Sequence, residues 1–282
     1  MKKKRTRTKT ILPKKRSVKS DSIEEYSFLF HGEKKIGKTT LLAQEPNNLF
    51  LEYDPIQKSL EIYQVPIREW DTVNEVADEL ERGGHDFTTC THDGVDIMYQ
   101  LCLETVCAAR GVGHPHDSDD FGSTWNAVKR AFGGTINRYL KMDGVATRFI
   151  CHSVWKEIKT RVGKTDRLCP TLTGQAEEVL VGLVDGWFAY IYDGDERVLV
   201  IRGNEQIAAG HRINHRFLTP DDRQVREIPM GDSEFSAYDN FQRAFNNQQE
   251  FVDLMERREQ QAKPKKAAKR KPILKQRKNK RS

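Results

Sequence analysis

Short apolar runs closed by glycine or acidic turns alternate along the chain with longer stretches whose apolar positions recur every three or four residues. Tyr26-Ser27-Phe28-Leu29-Phe30 and Asn48-Leu49-Phe50-Leu51-Glu52-Tyr53 are of the first kind and predict buried strands. Residues 71–81 are of the second kind. Val73, Val76, Ala77 and Leu80 share a helical face there, Asp71 is placed as N-cap, and Gly83-Gly84 ends the helix. The pattern goes on to predict a strand at 87–92, helices at 95–110 and 123–142, and a strand at 145–151. A helix at 174–183 follows, then strands at 186–192 and 197–202 meeting at an Asp193-Gly194 turn. Strands alternating with helices imply an α/β fold with a mainly parallel sheet, the late pair forming an antiparallel edge.

Composition narrows this picture. At 282 residues the chain has room for one large domain or two small ones. It is 31% charged, yet 13 Phe, 8 Tyr and 4 Trp suffice to seed a core. Apolar runs such as Val179-Leu180-Val181 stop far short of the ~18 residues of a membrane span. No apolar signal-peptide core follows the charged start. A collagen, a membrane-spanning protein and an exported protein are therefore not expected. Cys90, Cys102, Cys107, Cys151 and Cys169 are odd in number and form no Cys-x-x-Cys pair. Free thiols in a reducing cytoplasm fit them better than disulfides or structural zinc.

The net charge of +6 conceals a segregation. Residues 1–20 hold ten Lys/Arg and residues 263–282 hold eleven, with no acid in either stretch. The residues between carry 26 cations against all 41 acids, a net charge of −15. An acidic body with two basic arms is the result. Like charges repel, so the arms are expected to be disordered, serving either to bind polyanions or as solubilising or targeting tails. The organisation expected is a basic arm at 1–20, a domain at 21–233, a polar helix-prone segment at 234–262 (a docked helix or a solvated spacer) and a basic tail at 263–282.

The sharpest chemical signal is Gly32-Glu33-Lys34-Lys35-Ile36-Gly37-Lys38-Thr39, which fits G-x-x-x-x-G-K-[ST]. In such a loop Gly32 and Gly37 permit backbone angles that turn amides inward around phosphates. Lys38 reaches the β- and γ-phosphates, and Thr39 ligates Mg²⁺. The helix opening at Lys38-Thr39-Thr40 aims its positive end at the same charge. The pattern follows an apolar strand and opens a helical stretch, the context the motif requires. It predicts a site for ATP and Mg²⁺ over Gly32–Thr40.

A magnesium-orienting acid is expected at the end of a neighbouring strand, where Asp93 stands, with Asp96 as its rival one helical turn on. His92 is expected to pack rather than react. A carboxylate must also orient or deprotonate water. Glu52 and Asp54 are both candidates, Asp54 being preferred as nearer the strand end.

The order of these motifs from about Tyr26 to about Leu218 resembles phage-encoded AAA-type nucleotide-binding proteins with a RecA-like core, a group that includes single-strand-annealing recombinases. Leu51-Glu52-Tyr53-Asp54 is similar to the family's acidic strand end, where it has a catalytic carboxylate. His92-Asp93-Gly94-Val95-Asp96 stands where the family has an apolar strand ending in Asp-Ser; here that strand is polar. Asp120-Phe121-Gly122-Ser123-Thr124-Trp125 resembles its aromatic-Gly-x-x-Trp segment before a long helix. Phe149-Ile150-Cys151-His152 resembles the strand whose polar end senses the γ-phosphate, so the resemblance gives His152 that role. The residues alone allow a satisfied core histidine equally well. Ala209-Gly210-His211-Arg212 stands where the family carries Lys-x-Arg, and Arg212 is its candidate arginine finger across a subunit interface.

The resemblance implies a RecA-like P-loop NTPase core, ATP hydrolysis, self-association as ring or filament, and action on single-stranded DNA in phage recombination or replication, within the host cytoplasm. DNA is expected on a loop between His152 and Pro170, where Trp155 precedes Lys156, Lys159, Arg161, Lys164 and Arg167. A solvated loop is the competing reading. At the level of the whole protein the alternatives are a nucleotide-dependent switch without turnover and a P-loop phosphotransferase. The acidic 111–122 loop, which reads as a lid, argues against the phosphotransferase.

Overall fold

The computed structural model describes residues 12–161, 163–231 and 236–248. The tail at 263–282 and residues 1–11 of the leading arm lie outside these, while residues 12–19 run exposed without regular structure. The elements in order are β1 (Phe28–Gly32), α1 (Lys38–Ala43), β2 (Asn48–Glu52), β3 (Tyr63–Pro66), α2 (Trp70–Arg82), β4 (Thr89–Asp93), α3 (Val95–Ala109), α4 (Ser123–Leu140), β5 (Ala146–Thr160), β6 (Gly163–Pro170), α5 (Gly174–Leu183), β7 (Gly186–Asp193), β8 (Glu196–Val200), β9 (Gly210–His211), β10 (Glu227–Gly231) and α6 (Ala237–Phe245).

These strands form one mixed, mainly parallel sheet in the order β10-β8-β7-β1-β5-β4-β2-β3, with β6 paired to β5 and β9 to β7. The six strands from β7 to β3 are parallel; β8, β10, β6 and β9 join antiparallel. This is the α/β P-loop NTPase architecture expected from the sequence. The late pair does not form the edge, however. β7 lies inside beside β1, and the outermost strand on that side is β10, whose Glu-Ile-Pro-Met-Gly text carries little strand signal.

Strand alternation sorts the core onto two faces. Leu29, Leu49 and Leu51 point toward α2, α3, α4 and α5, joining Val73, Met98, Phe132 and Leu180. Phe28, Phe30, Phe50 and Phe188 point the other way, toward α1 and α6, where they meet Leu41, Phe241 and Phe245. Of the two expectations for residues 234–262, the described part is the docked helix: Phe241, Ala244 and Phe245 of α6 are buried. In α2 the N-cap position belongs to Glu69, which makes no capping bond, and Asp71 sits in the first turn instead of capping it. There its charge still favours the helix N-terminus.

The polar text of β4 is satisfied by partners the sequence does not announce. Cys90 and His92 face the α2–α5 side, where His92 Nδ1 lies 2.8 Å from the Tyr53 hydroxyl and its ring stacks on Phe149. On the alternate positions, the Thr89 hydroxyl donates to Glu45 at 3.1 Å and the Thr91 hydroxyl to Asn48 Oδ1 at 2.9 Å. Glu45 in turn holds Arg148, which is wholly buried: its Nε and Nη2 donate to the two carboxylate oxygens at 3.1 and 2.7 Å. Nη1 donates to the Tyr26 carbonyl at 2.6 Å, and the guanidinium lies over the Phe28 ring. A buried charge pair is tolerated only when its remaining hydrogen-bonding capacity is met in this way.

Candidate nucleotide-binding site

In open α/β sheets ligands bind beyond the carboxyl ends of the parallel strands. Here that rim brings together Gly32 of β1, His152 of β5, Asp93 of β4 and Glu52 of β2. Gly32 and His152 are register partners, and so are Glu52 and Asp93. The expectation that the metal-orienting acid stands on the strand next to β1 is corrected: β5 lies between β1 and β4, so His152 occupies the gap.

The loop from Gly32 to Lys38 takes its shape from different causes at its two glycines. Gly37 has φ 105°, a left-handed conformation that a side chain strains. Gly32 is no such case; a Cβ there would lie 2.3 Å from the carbonyl oxygen of Tyr190 on β7, so it is glycine because a neighbouring strand passes too close. Lys35 also takes a positive φ of 65°. Ile36 is buried and pins the loop to the α1 face, whereas Glu33, Lys34 and Lys35 are exposed. Lys38 is 5% exposed, and its ammonium donates to the carbonyls of Gly32 (2.9 Å) and Glu33 (2.7 Å), closing the loop around itself. Burial pushes its pKa below the ordinary lysine value, partly offset by Asp93, Asp96 and Glu33 nearby.

Thr39 and Asp93 are in contact: the threonine hydroxyl donates to Asp93 Oδ2 at 2.6 Å. Burial raises the Asp93 pKa, while the Thr39 bond and Lys38 pull it back. Asp96 belongs to another set, accepting from the Thr171 hydroxyl at 2.7 Å. Glu52 is 1% exposed and neither carboxylate oxygen has a partner. Its pKa is pushed up to about 8, first by burial and then by Asp93 and Asp54. Asp54, the preferred candidate, lies past the end of β2 in an exposed turn, so strand alternation does not align it with Glu52. His152 is half-buried with Nδ1 unpartnered, and burial together with Lys38 lowers its pKa.

This constellation is what a magnesium nucleotide requires. Thr39 and Asp93 are hard oxygen donors in contact with each other, Lys38 is a buried cation held within the loop, and an orphaned buried carboxylate stands a strand away. Thr39 and Asp93 would hold the metal, which would neutralise phosphate charge.

The segment between His152 and Pro170 is no loop. β5 continues past the rim and pairs with β6 as a two-stranded ribbon, with Trp155 opposite Leu168, Lys156 opposite Arg167 and Lys159 opposite Lys164. Alternation puts Trp155, Lys159 and Lys164 on one face with Glu157 and Asp166, and Lys156 and Arg167 on the other. Trp155 is 60% exposed. Lys156 is tied to Glu177 at 2.6 Å and Lys164 to Glu157 at 2.6 Å, while Arg161 is exposed in the turn. Arg212 is far from this rim. It donates to Asp185 Oδ1 at 2.9 Å and to the Leu183 carbonyl, at the opposite end of β7. The 111–122 loop is pinned at its base, Arg110 bonding Asp120 at 3.4 Å and Ser123 at 3.1 Å.

Two features that sequence reasoning missed belong to the rim. His31, next to the phosphate loop, bridges Ser153 Oγ (2.8 Å) and the Ala208 carbonyl (2.7 Å), and burial lowers its pKa to about 4. Arg197 of β8 donates from Nε to the Ile36 carbonyl at 3.0 Å. Neither has a local signal, because each partner lies more than a hundred residues away.

Sheet order, phosphate loop and the Thr39–Asp93 contact define a P-loop NTPase. Consistent with that geometry, the sequence profile of the AAA domain matches residues 24–213, and the chain belongs to this family of nucleotide-binding proteins, whose members are in general ATPases. No characterised protein matches the chain in sequence. No helix among the described residues is long and apolar enough to cross a membrane.

Proposed function

We propose that the protein is a magnesium-dependent ATPase whose turnover is coupled to single-stranded DNA, serving phage recombination or replication from the host cytoplasm. The observation that carries this reading is the continuity of β5. One strand holds His152 level with Gly32 and, three residues on, an exposed Trp155 on the ribbon that β5 forms with β6. A base stacked on Trp155 and phosphates near Lys159, Arg161 and Lys164 would bear on the strand that carries His152.

At the rim, Lys38 binds and orients the phosphates. Glu52, once ionised, accepts a proton from water or orients it toward the terminal phosphate; its burial and lack of partners suit it better than the exposed Asp54. His152 donates to the terminal phosphate. Arg212 could act only on a neighbouring copy, and only after leaving Asp185, so the finger role goes with assembly into a ring or filament.

ATP hydrolysis measured with and without single-stranded DNA tests this, with Lys38→Ala and Trp155→Ala alongside. Stimulation by DNA, lost in both variants, is expected. Equal turnover with and without DNA would refute the coupling. ATP binding without turnover, with DNA binding intact, would instead identify a nucleotide-dependent switch.

A further inference from the structure

The end of the site where a phosphate would be cleaved lies on the β4 and β2 side of the phosphate loop, marked by Thr39, Asp93 and Glu52. A nucleoside triphosphate lying along the loop with its terminal phosphate there extends its base toward the other side of β1, where β7 and β8 stand. Phe188, Tyr190 and Tyr192 alternate along β7 onto the face that α1 and the phosphate loop cover. The first two are buried. Tyr190 is level with Gly32, and Tyr192, roughly 7 Å further along the strand, is 47% exposed. Its cross-strand partner is Arg197, whose guanidinium lies 5.6 Å from the Tyr192 ring centre while its Nε bonds the Ile36 carbonyl. One guanidinium thus ties an exposed aromatic ring to the backbone of the phosphate loop.

We propose that Tyr192, held in place by Arg197, is the platform on which the base of the bound nucleotide stacks. The proposal rests on the nucleotide-binding reading and adds to it where the base lies and what selects it. An aromatic ring already stacked against a cation presents its outer face at little further cost in side-chain freedom. Stacking tolerates any base but rewards the larger π-face, so purine triphosphates should bind more tightly than pyrimidine ones. Arg197 is a positioning residue.

Calorimetric titration of the full chain in Mg²⁺ with ATP, CTP and inorganic tripolyphosphate tests this, using the parent, Tyr192→Phe, Tyr192→Ala and Lys38→Ala. Tyr192→Ala should weaken ATP roughly tenfold and narrow the gap between ATP and CTP. It should leave tripolyphosphate unchanged, and Tyr192→Phe should keep the parent's affinities. The fluorescence of 2-aminopurine riboside triphosphate should be quenched by the parent and by Tyr192→Phe, but not by Tyr192→Ala. Equal ATP affinity in parent and Tyr192→Ala would overturn the proposal. So would parallel weakening of ATP and tripolyphosphate, which would make the ring a prop for the loop. A parent that binds neither compound, and behaves as Lys38→Ala does, would overturn the nucleotide reading itself.

Discussion

Glu52→Gln should make the protein more stable in alkali and inactive at every pH. Glu52 is 1% exposed, both its oxygens lack partners, and its pKa is about 8 in the folded chain against 4.5 unfolded. Because the folded value is raised, the folded state holds the proton while the unfolded chain releases it. Stability is therefore fully present below about pH 4.5, falls as pH rises, and reaches its floor above about pH 8. A shift of this size corresponds to at most about 4 to 5 kcal/mol. Ionising a buried carboxylate relaxes its surroundings and draws in water, so about half of that is the working figure. Glutamine keeps the shape and never ionises. In urea melts without nucleotide or metal, parent and variant should agree near pH 4.5, and the variant should lead by about 2 kcal/mol at pH 9. An advantage that stays constant with pH would refute the reasoning. In the parent, kcat/KM should climb through pH 8 as the carboxylate ionises, and the variant should show no turnover to titrate.

Gly32→Ala places a methyl against the Tyr190 carbonyl, at 2.3 Å before relaxation, so the loop and β7 must part. A loss of about 2 kcal/mol and of nucleotide binding is expected by thermal melt and titration; a parent-like melt would show that the strands separate freely. Arg148→Ala leaves Glu45 buried without its partner and should cost roughly 3 to 5 kcal/mol in denaturant. A cost under about 1 kcal/mol would mean that water reaches that end of the sheet.

The elements most legible in the sequence were those whose apolar spacing is unbroken. β1, β2, α3 and α5 lie within a residue or two of where periodicity puts them, because their burial is set locally. β3 and β10 were missed because each is short, lies at an edge and alternates poorly: Tyr63 and Pro66 are exposed, and Pro229 interrupts Ile228 and Met230. The ribbon of β5 and β6 read as a loop since charged residues stand on both of its faces between Trp155 and Arg167, and no core selects a period there. At the site, the phosphate loop was legible from its text. Thr39 and Asp93, both singled out from the sequence, are brought into contact by the fold. Gly32 needed the passage of β7 to be understood, and the preference for Asp54 followed from placing the end of β2 one residue too late. Arg197 and Tyr192 gave no signal, since a guanidinium aimed at a backbone carbonyl 161 residues earlier is a product of topology.

Both outer strands of the main sheet contain a proline, Pro66 in β3 and Pro229 in β10. Each removes an amide donor from a strand only four or five residues long, so neither edge offers another chain an unbroken ladder to extend. Growth of the sheet from one molecule into the next is thereby discouraged at both flanks. Were copies of the chain to meet, the body's fifteen excess negative charges and the opposite sign of the arms would favour arm-to-body attraction over extension of the main sheet. Attraction of that kind weakens as salt screens it, whereas a shared sheet would not.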